Sequence, residues 1–119
     1  VIMETIAQAQ QHGAAVAAVP AKDTVKVSPD DGFVQQTLDR QRLWQAQTPQ
    51  AFRAAVARQA HQAARTFDAT DDAVLVEQLG FPVKIVPGDY SNIKITTADD
   101  VRLAESLLHD MAQAAEDGA

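Results

Sequence analysis

An α/β layered fold is predicted, and three features of the sequence predict it. The run Ala14-Ala15-Val16-Ala17-Ala18-Val19 is continuously apolar, short, and stopped by Pro20. Such a run reads as a strand buried on both faces rather than as a helix. Two further short segments, the β-branched Phe81–Val86 and the alternating Asn92–Ile95, read as strands for the same reason of length. Between and around them lie stretches with helical spacing, each bounded by capping residues or glycine.

Taken in order, Val1–Gln11 places Val1, Ile2, Ile6 and Ala9 at helical spacing, and Gly13 supplies a C-terminal stop. After the Ala14–Val19 strand, Thr24–Val27 and Phe33–Leu38 are β-prone limbs on either side of Pro29-Asp30-Asp31-Gly32. Proline, two aspartates and glycine favour a turn, so a hairpin is expected. Trp44, the only tryptophan, is expected to anchor the hairpin's return to the body. Thr48-Pro49 reads as a helix opening, with threonine as cap and proline at the first helical position. That helix runs to about Arg65, with Phe52, Val56, Ala60 and Ala63 on its apolar face and Arg53, Arg58 and His61 in solvent. A further helix follows Thr70-Asp71-Asp72, carries Val74, Leu75 and Leu79 inward, and ends at Gly80. Pro87–Ser91 is a loop. The last helix opens at Thr97-Ala98-Asp99-Asp100, close to a capping box, and Leu103, Ala104, Leu107, Leu108 and Met111 form its stripe.

Composition narrows the function. The chain has 119 residues, enough for one domain with a modest core, and its net charge is −6. It lacks the basic surface that counterion release onto nucleic acid requires, so no nucleic-acid partner is expected. No cysteine is present, which removes disulfides and thiolate metal sites without fixing a compartment. No apolar run approaches the ~20 residues that span a bilayer, and the first residues carry no basic n-region. The expectation is a soluble, cytoplasmic protein without a membrane partner.

Few residues carry chemistry by spacing alone. Lys26, Arg40, Thr24 and Thr48 flank the hairpin, two cations and two hydroxyls that could grip a phosphate. On spacing alone the leading reading of Arg40 is a pair with Asp39 or with a turn carboxylate. Lys94 sits close to a strand end and just before a helix start, a good place for an anionic ligand; an edge strand with Lys94 in solvent fits the pattern as well. Thr48 and Thr70 are explained as caps, and Asp71, Asp72, Asp99 and Asp100 as first-turn carboxylates. His12, His61 and His109 have no partner spacing for zinc or a catalytic dyad. No G-x-S-x-G elbow occurs. Gly13, Gly32, Gly80, Gly88 and Gly118 are isolated, so the 119 residues contain no phosphate-cradling loop.

Four blocks nevertheless stand in a specific order: P-A-K-D-T-V-K from Pro20, T-L-D-R-x-x-L-W-x-A-Q-T-P-Q-A-F from Thr37, T-D-D-A from Thr70, and G-D-Y-S-N-I-K-I-T-T-x-x-D from Gly88. Together they resemble the methylerythritol phosphate cytidylyltransferases, over the stretch from about Gly13 to Leu108. Ribitol phosphate cytidylyltransferases share Q-T-P-Q, T-D and N-I-K. The lysine after Asp23-Thr24-Val25, with Leu38-Asp39-Arg40 and Leu43-Trp44, is closer to the isoprenoid branch.

The resemblance implies the C-terminal part of a doubly wound, mostly parallel nucleotidyltransferase sheet, residues 1–119, with a protruding β-arm at 22–44. It implies a homodimer joined through that arm. Thr24 and Arg40 would reach the partner subunit's polyol phosphate, and Thr48, Thr70 and Lys94 would line their own subunit's site. Lys94 and Arg40 would be the catalytic cations of a CMP transfer from CTP, with a divalent metal, usually magnesium, as cofactor and pyrophosphate as product. Family enzymes are about twice this length and open with a glycine-rich CTP loop and an Asp-Ala-Ala-Arg segment. Neither occurs in these residues, and Ala98 replaces a common proline. The expectation is therefore an activity that needs an N-terminal half; the other reading is a dimerisation or binding module without nucleotide chemistry.

Overall fold

Residues 1–64 and 71–118 are described by the structure, a computed structural model. In chain order the elements are α1 (Ile2–His12), β1 (Ala14–Pro20), β2 (Lys26–Val27), β3 (Gln36–Thr37), β4 (Trp44–Phe52), α2 (Ala54–Ala63), α3 (Asp72–Gln78), β5 (Lys84–Pro87) and α4 (Ala98–Asp117), with one 3₁₀ turn at Arg40–Arg42. They fall into two compact units, Val1–Gly88 and Asp89–Ala119.

In the first unit the alanine-rich strand β1 is the middle of a three-stranded sheet, antiparallel to β4 and parallel to β5. Successive strand residues point to opposite faces, and here both faces are covered. Ala14 packs with Ala60, Leu75 and Val76, beside Phe52 and Val56. Its neighbour Ala15 packs the other way, with Ala9 of α1 and Val86 of β5. Small side chains let helices approach from both sides, which is why this strand is alanine and valine from Ala14 to Val19. The expected layering, helices on either face of a sheet that includes a parallel pair, is therefore present.

Local signals set several boundaries. Gly13 takes φ 98°, and its N–H reaches the Ala9 carbonyl at 2.7 Å, closing α1. Thr5 is a polar residue buried inside α1; its hydroxyl donates to the Val1 carbonyl at 2.6 Å, so no polar atom is stranded. Arg53 serves the same helix end, with its guanidinium donating to the Gln10 carbonyl and its N–H to the Gly13 carbonyl at 2.9 Å. The hairpin forms as expected. Lys26 pairs with Thr37 and Val27 with Gln36, while Leu38 N–H to Val25 O (2.9 Å) and Gln35 N–H to Val27 O (2.8 Å) extend the pairing. Trp44 sits opposite Pro20 where the hairpin rejoins the sheet.

Three boundaries differ from expectation. Thr48-Pro49 does not open a helix: both residues belong to β4, joined by a cis peptide bond, and α2 begins later at Ala54 with Arg53 as its cap residue. The long apolar edge of β1 offers residues 44–52 a ladder, and that non-local pairing outweighs the local capping signal. Helix α3 is capped by Asp71, whose carboxylate accepts from Val74 N–H at 3.0 Å, rather than by a threonine. Thr70 and the expected helix end at Arg65 lie outside the described residues. The strand expected at Phe81–Val86 is realised as Lys84–Pro87.

The second unit consists of α4 and the segment leading to it. Asn92–Ile95 is not a strand. Its first amides are used locally, Asn92 N–H to Asp89 O and Ile93 N–H to Ser91 O, each at 3.0 Å. Helix α4 starts with the reciprocal box: Thr97 Oγ1 accepts from Asp100 N–H at 3.3 Å, and Asp100 Oδ2 accepts from Thr97 N–H at 3.0 Å. No helix among the described residues is long and apolar enough to cross a membrane.

Candidate functional site

The carboxyl ends of β1 and β5 lie side by side, and Gly88 N–H continues their ladder to the Ala18 carbonyl at 2.8 Å. Parallel strands present ligand sites at this end. Beside it, β4 departs from regular pairing. Val16 faces Gln50, but Ala18 faces Ala46, so β1 advances two residues while β4 advances four. Residues 47–49 form the resulting bulge, a device that re-aims side chains next to functional sites. Thr48, at its centre, is exposed.

Both flanks of the bulge are held. On one side the Gln47 amide lies against Gly88, where an added Cβ would collide with it and would also meet the Ala18 carbonyl at 3.5 Å. A side chain at position 88 would therefore displace the Gln47 amide. On the other side Gln50 Nε2 donates to Asp71 Oδ2 at 3.0 Å and to the Gln47 carbonyl at 3.5 Å. Gln50 and Asp71 are half-buried. Asp71 thus accepts from the start of α3 through one oxygen and from β4 through the other.

A second group gathers at the base of the hairpin. Leu38 bonding to Val25 brings Asp39 and Arg40 alongside Thr24 across the two limbs. Arg40 Nη1 donates to the Lys22 carbonyl at 2.7 Å, tying the limbs together, and Asp39 instead accepts from Gln41 N–H at 3.1 Å. The Asp39–Arg40 pairing open to the sequence is therefore not the one formed. Lys26 Nζ donates to Thr37 Oγ1 at 3.0 Å on the same hairpin. Thr24 and Arg40 both lie at the base of the hairpin, and both are exposed.

Lys94 belongs to the second unit and is exposed in a segment without regular structure. Upstream, the Asp89 carboxylate accepts from Ser91 Oγ (2.7 Å) and Ser91 N–H (2.8 Å), which hold it below the usual carboxylate range. Among the described residues no three His, Cys, Asp or Glu side chains assemble into one cluster. His61 Nε2 lies 3.2 Å from Asp72 Oδ1 on an exposed surface.

Sequence reasoning singles out Thr48 and passes over Gln47, Gln50, Asp71 and Gly88 as site residues. The available signal is two glutamines around Thr-Pro in a stretch whose alternation also suits a strand. Residues 1–110 match the family model described as IspD: 2-C-methyl-D-erythritol 4-phosphate cytidylyltransferase. The chain belongs to that family. Over 110 residues it is 53% identical to the 2-C-methyl-D-erythritol 4-phosphate cytidylyltransferase of Syntrophus aciditrophicus (strain SB), covering 91% of this chain and 47% of that protein. The counterpart from Pelotomaculum thermopropionicum is 54% identical over 109 residues, with 90% and 46% covered. Among solved structures, the cytidylyltransferase of Thermus thermophilus superposes with a TM-score of 0.78 at 37% identity, over 91% of this chain and 54% of that one. The 4-diphosphocytidyl-2C-methyl-D-erythritol synthase of Anaerococcus prevotii gives 0.81 at 37% identity, over 91% and 49%. This chain therefore spans about half the length of the curated cytidylyltransferases that it matches.

Proposed function

We propose that this chain serves the transfer of CMP from CTP to 2-C-methyl-D-erythritol 4-phosphate, and that its residues form the polyol-phosphate side of the site. The family match across residues 1–110 carries this reading. In the reaction a phosphate oxygen of the polyol attacks the α-phosphorus of CTP in line. A new P–O bond forms as the bond to the β-phosphate breaks, and pyrophosphate leaves. No covalent enzyme intermediate is needed, so the protein's work is positioning and charge stabilisation.

Lys94 is assigned the role of a compact positive charge beside the transferring phosphoryl group, and Arg40 a forked grip on phosphate oxygens. Thr48 and Thr70 are assigned to the polyol phosphate of their own subunit, and Thr24 with Arg40 to that of a partner subunit. The β4 bulge supports the first assignment, because it exposes Thr48 beside the carboxyl ends of β1 and β5. The hairpin supports the second, since it carries Thr24 and Arg40 at its base and exposes Phe33 and Val34 at its far end. We accordingly read residues 22–44 as the arm of a homodimer and residues 1–119 as one portion of a single cytidylyltransferase domain. Magnesium is the divalent ion that suits a triphosphate, with its ligands expected outside the described residues. The cytoplasm, where nucleoside triphosphates are held, is the setting that fits.

Pyrophosphate release tests the proposal. The 119 residues alone are expected to give no turnover with CTP, magnesium and methylerythritol phosphate, because they contain no glycine-rich triphosphate loop. Adding the N-terminal portion of the Syntrophus aciditrophicus relative should restore it, with ribitol 5-phosphate a much poorer acceptor. Turnover by the 119 residues alone, or equal use of both polyols, would show the assignment wrong.

A further inference from the structure

We propose that Gln50 is a positioning residue for the polyol-phosphate site: it couples the Thr48 bulge to the first turn of α3. The inference rests on the substrate reading above. Two separate pieces of backbone, β4 and the start of α3, meet at this one side chain. Gln50 itself is in β4 directly after the bulge, its Nε2 reaches the Gln47 carbonyl inside the bulge at 3.5 Å, and the same nitrogen reaches the Asp71 carboxylate at 3.0 Å. Asp71 lies 21 residues further along, where its other oxygen receives Val74 N–H. One amide group therefore ties the bulge, and Thr48 within it, to the start of α3.

The chemistry of the pair is specific. A half-buried amide donating to a carboxylate makes a charge-assisted bond that solvent screens only in part. A carboxylate at position 50 would face both the Asp71 carboxylate and the Gln47 carbonyl with no proton to share. An apolar residue of the same length would keep the packing and lose both bonds. On the far flank of the bulge the Gln47 amide lies close to Gly88, and Gln50 holds the near one.

The test is a swap of the two groups. Gln50→Glu should weaken binding of 2-C-methyl-D-erythritol 4-phosphate to the 119-residue chain about tenfold by calorimetric titration, in a protein that still unfolds cooperatively. It should also move the Thr48 and Val74 amide resonances. Gln50→Glu combined with Asp71→Asn reverses the polarity of the bond, since asparagine still caps the helix and now donates to the carboxylate introduced at position 50. Affinity should return to within about threefold, the remainder reflecting the bond to the Gln47 carbonyl that a carboxylate cannot make. If Gln50→Glu does not fold, Gln50→Met serves in its place, with the same loss expected. Binding that stays at the wild-type level in a folded Gln50→Glu or Gln50→Met protein overturns the positioning role, as does a folded double variant with no recovery. Absence of binding by the wild-type chain overturns the substrate reading instead, together with the role it gives Gln50.

Discussion

Arg40 spends one terminal nitrogen on the Lys22 carbonyl, a contact that aims a guanidinium without exhausting it. Five N–H donors in a planar fork leave an edge for two phosphate oxygens once one donor is fixed. Truncation to alanine should therefore raise the KM for the polyol phosphate about 10- to 100-fold, the scale of a lost charge-assisted pair. The KM for CTP should change less than about threefold in the same steady-state assay with the complementing portion present. Equal rises for both substrates would remove Arg40 from the polyol site. Lysine should rescue poorly, because it brings the charge without the fork. Little of this is legible from local spacing, which favours pairing Arg40 with Asp39 or a turn carboxylate over a ligand. The Gln50–Asp71 bond is invisible to it, since no periodicity links residues 21 positions apart.

Among the elements, the legible ones are those whose ends are decided locally. Gly13 stops α1, and Thr97 with Asp100 starts α4, because each signal acts within four residues of itself. Thr48-Pro49 misleads for the opposite reason: a strand register set by a distant partner overrides a sound local cap. Asn92–Ile95 has the alternation of a strand, but Asp89 and Ser91 take its first amides into a turn. The box at α4 also sets its response to acid. Asp100 is held below the usual carboxylate range by the Thr96 N–H first and the Thr97 N–H second. A carboxylate lowered in the folded state stabilises it above the unfolded pKa and loses that effect as pH falls through the folded one. The helical circular-dichroism signal of α4 should therefore begin to decline below pH about 4. Thr97→Ala, at a cost of about 1 kcal/mol, should lower that signal at neutral pH as well, and an unchanged spectrum would remove the box from the account.

At the scale of the molecule, apolar surface is distributed unevenly. Phe33 is 76% exposed and Val34 59% on the hairpin, and Met3 is 78% exposed on α1. On the homodimer reading proposed above, the exposed Phe33 and Val34 are the residues that the arm would bury against a partner. Sedimentation should thus find a dimer that Phe33→Asp shifts toward monomer, with the circular-dichroism spectrum kept; a monomeric wild type would end the arm assignment. The central strand carries a different implication. β1 is bordered by a strand on each edge and by packed side chains on each face, so no small fluctuation can bare its peptide groups to water. Freeing them requires the first unit to come apart altogether. The amides of residues 15–19 should be the last to take up deuterium, at a rate that reports the unit's global opening, and the smallest side chains in the sheet would then mark its slowest clock.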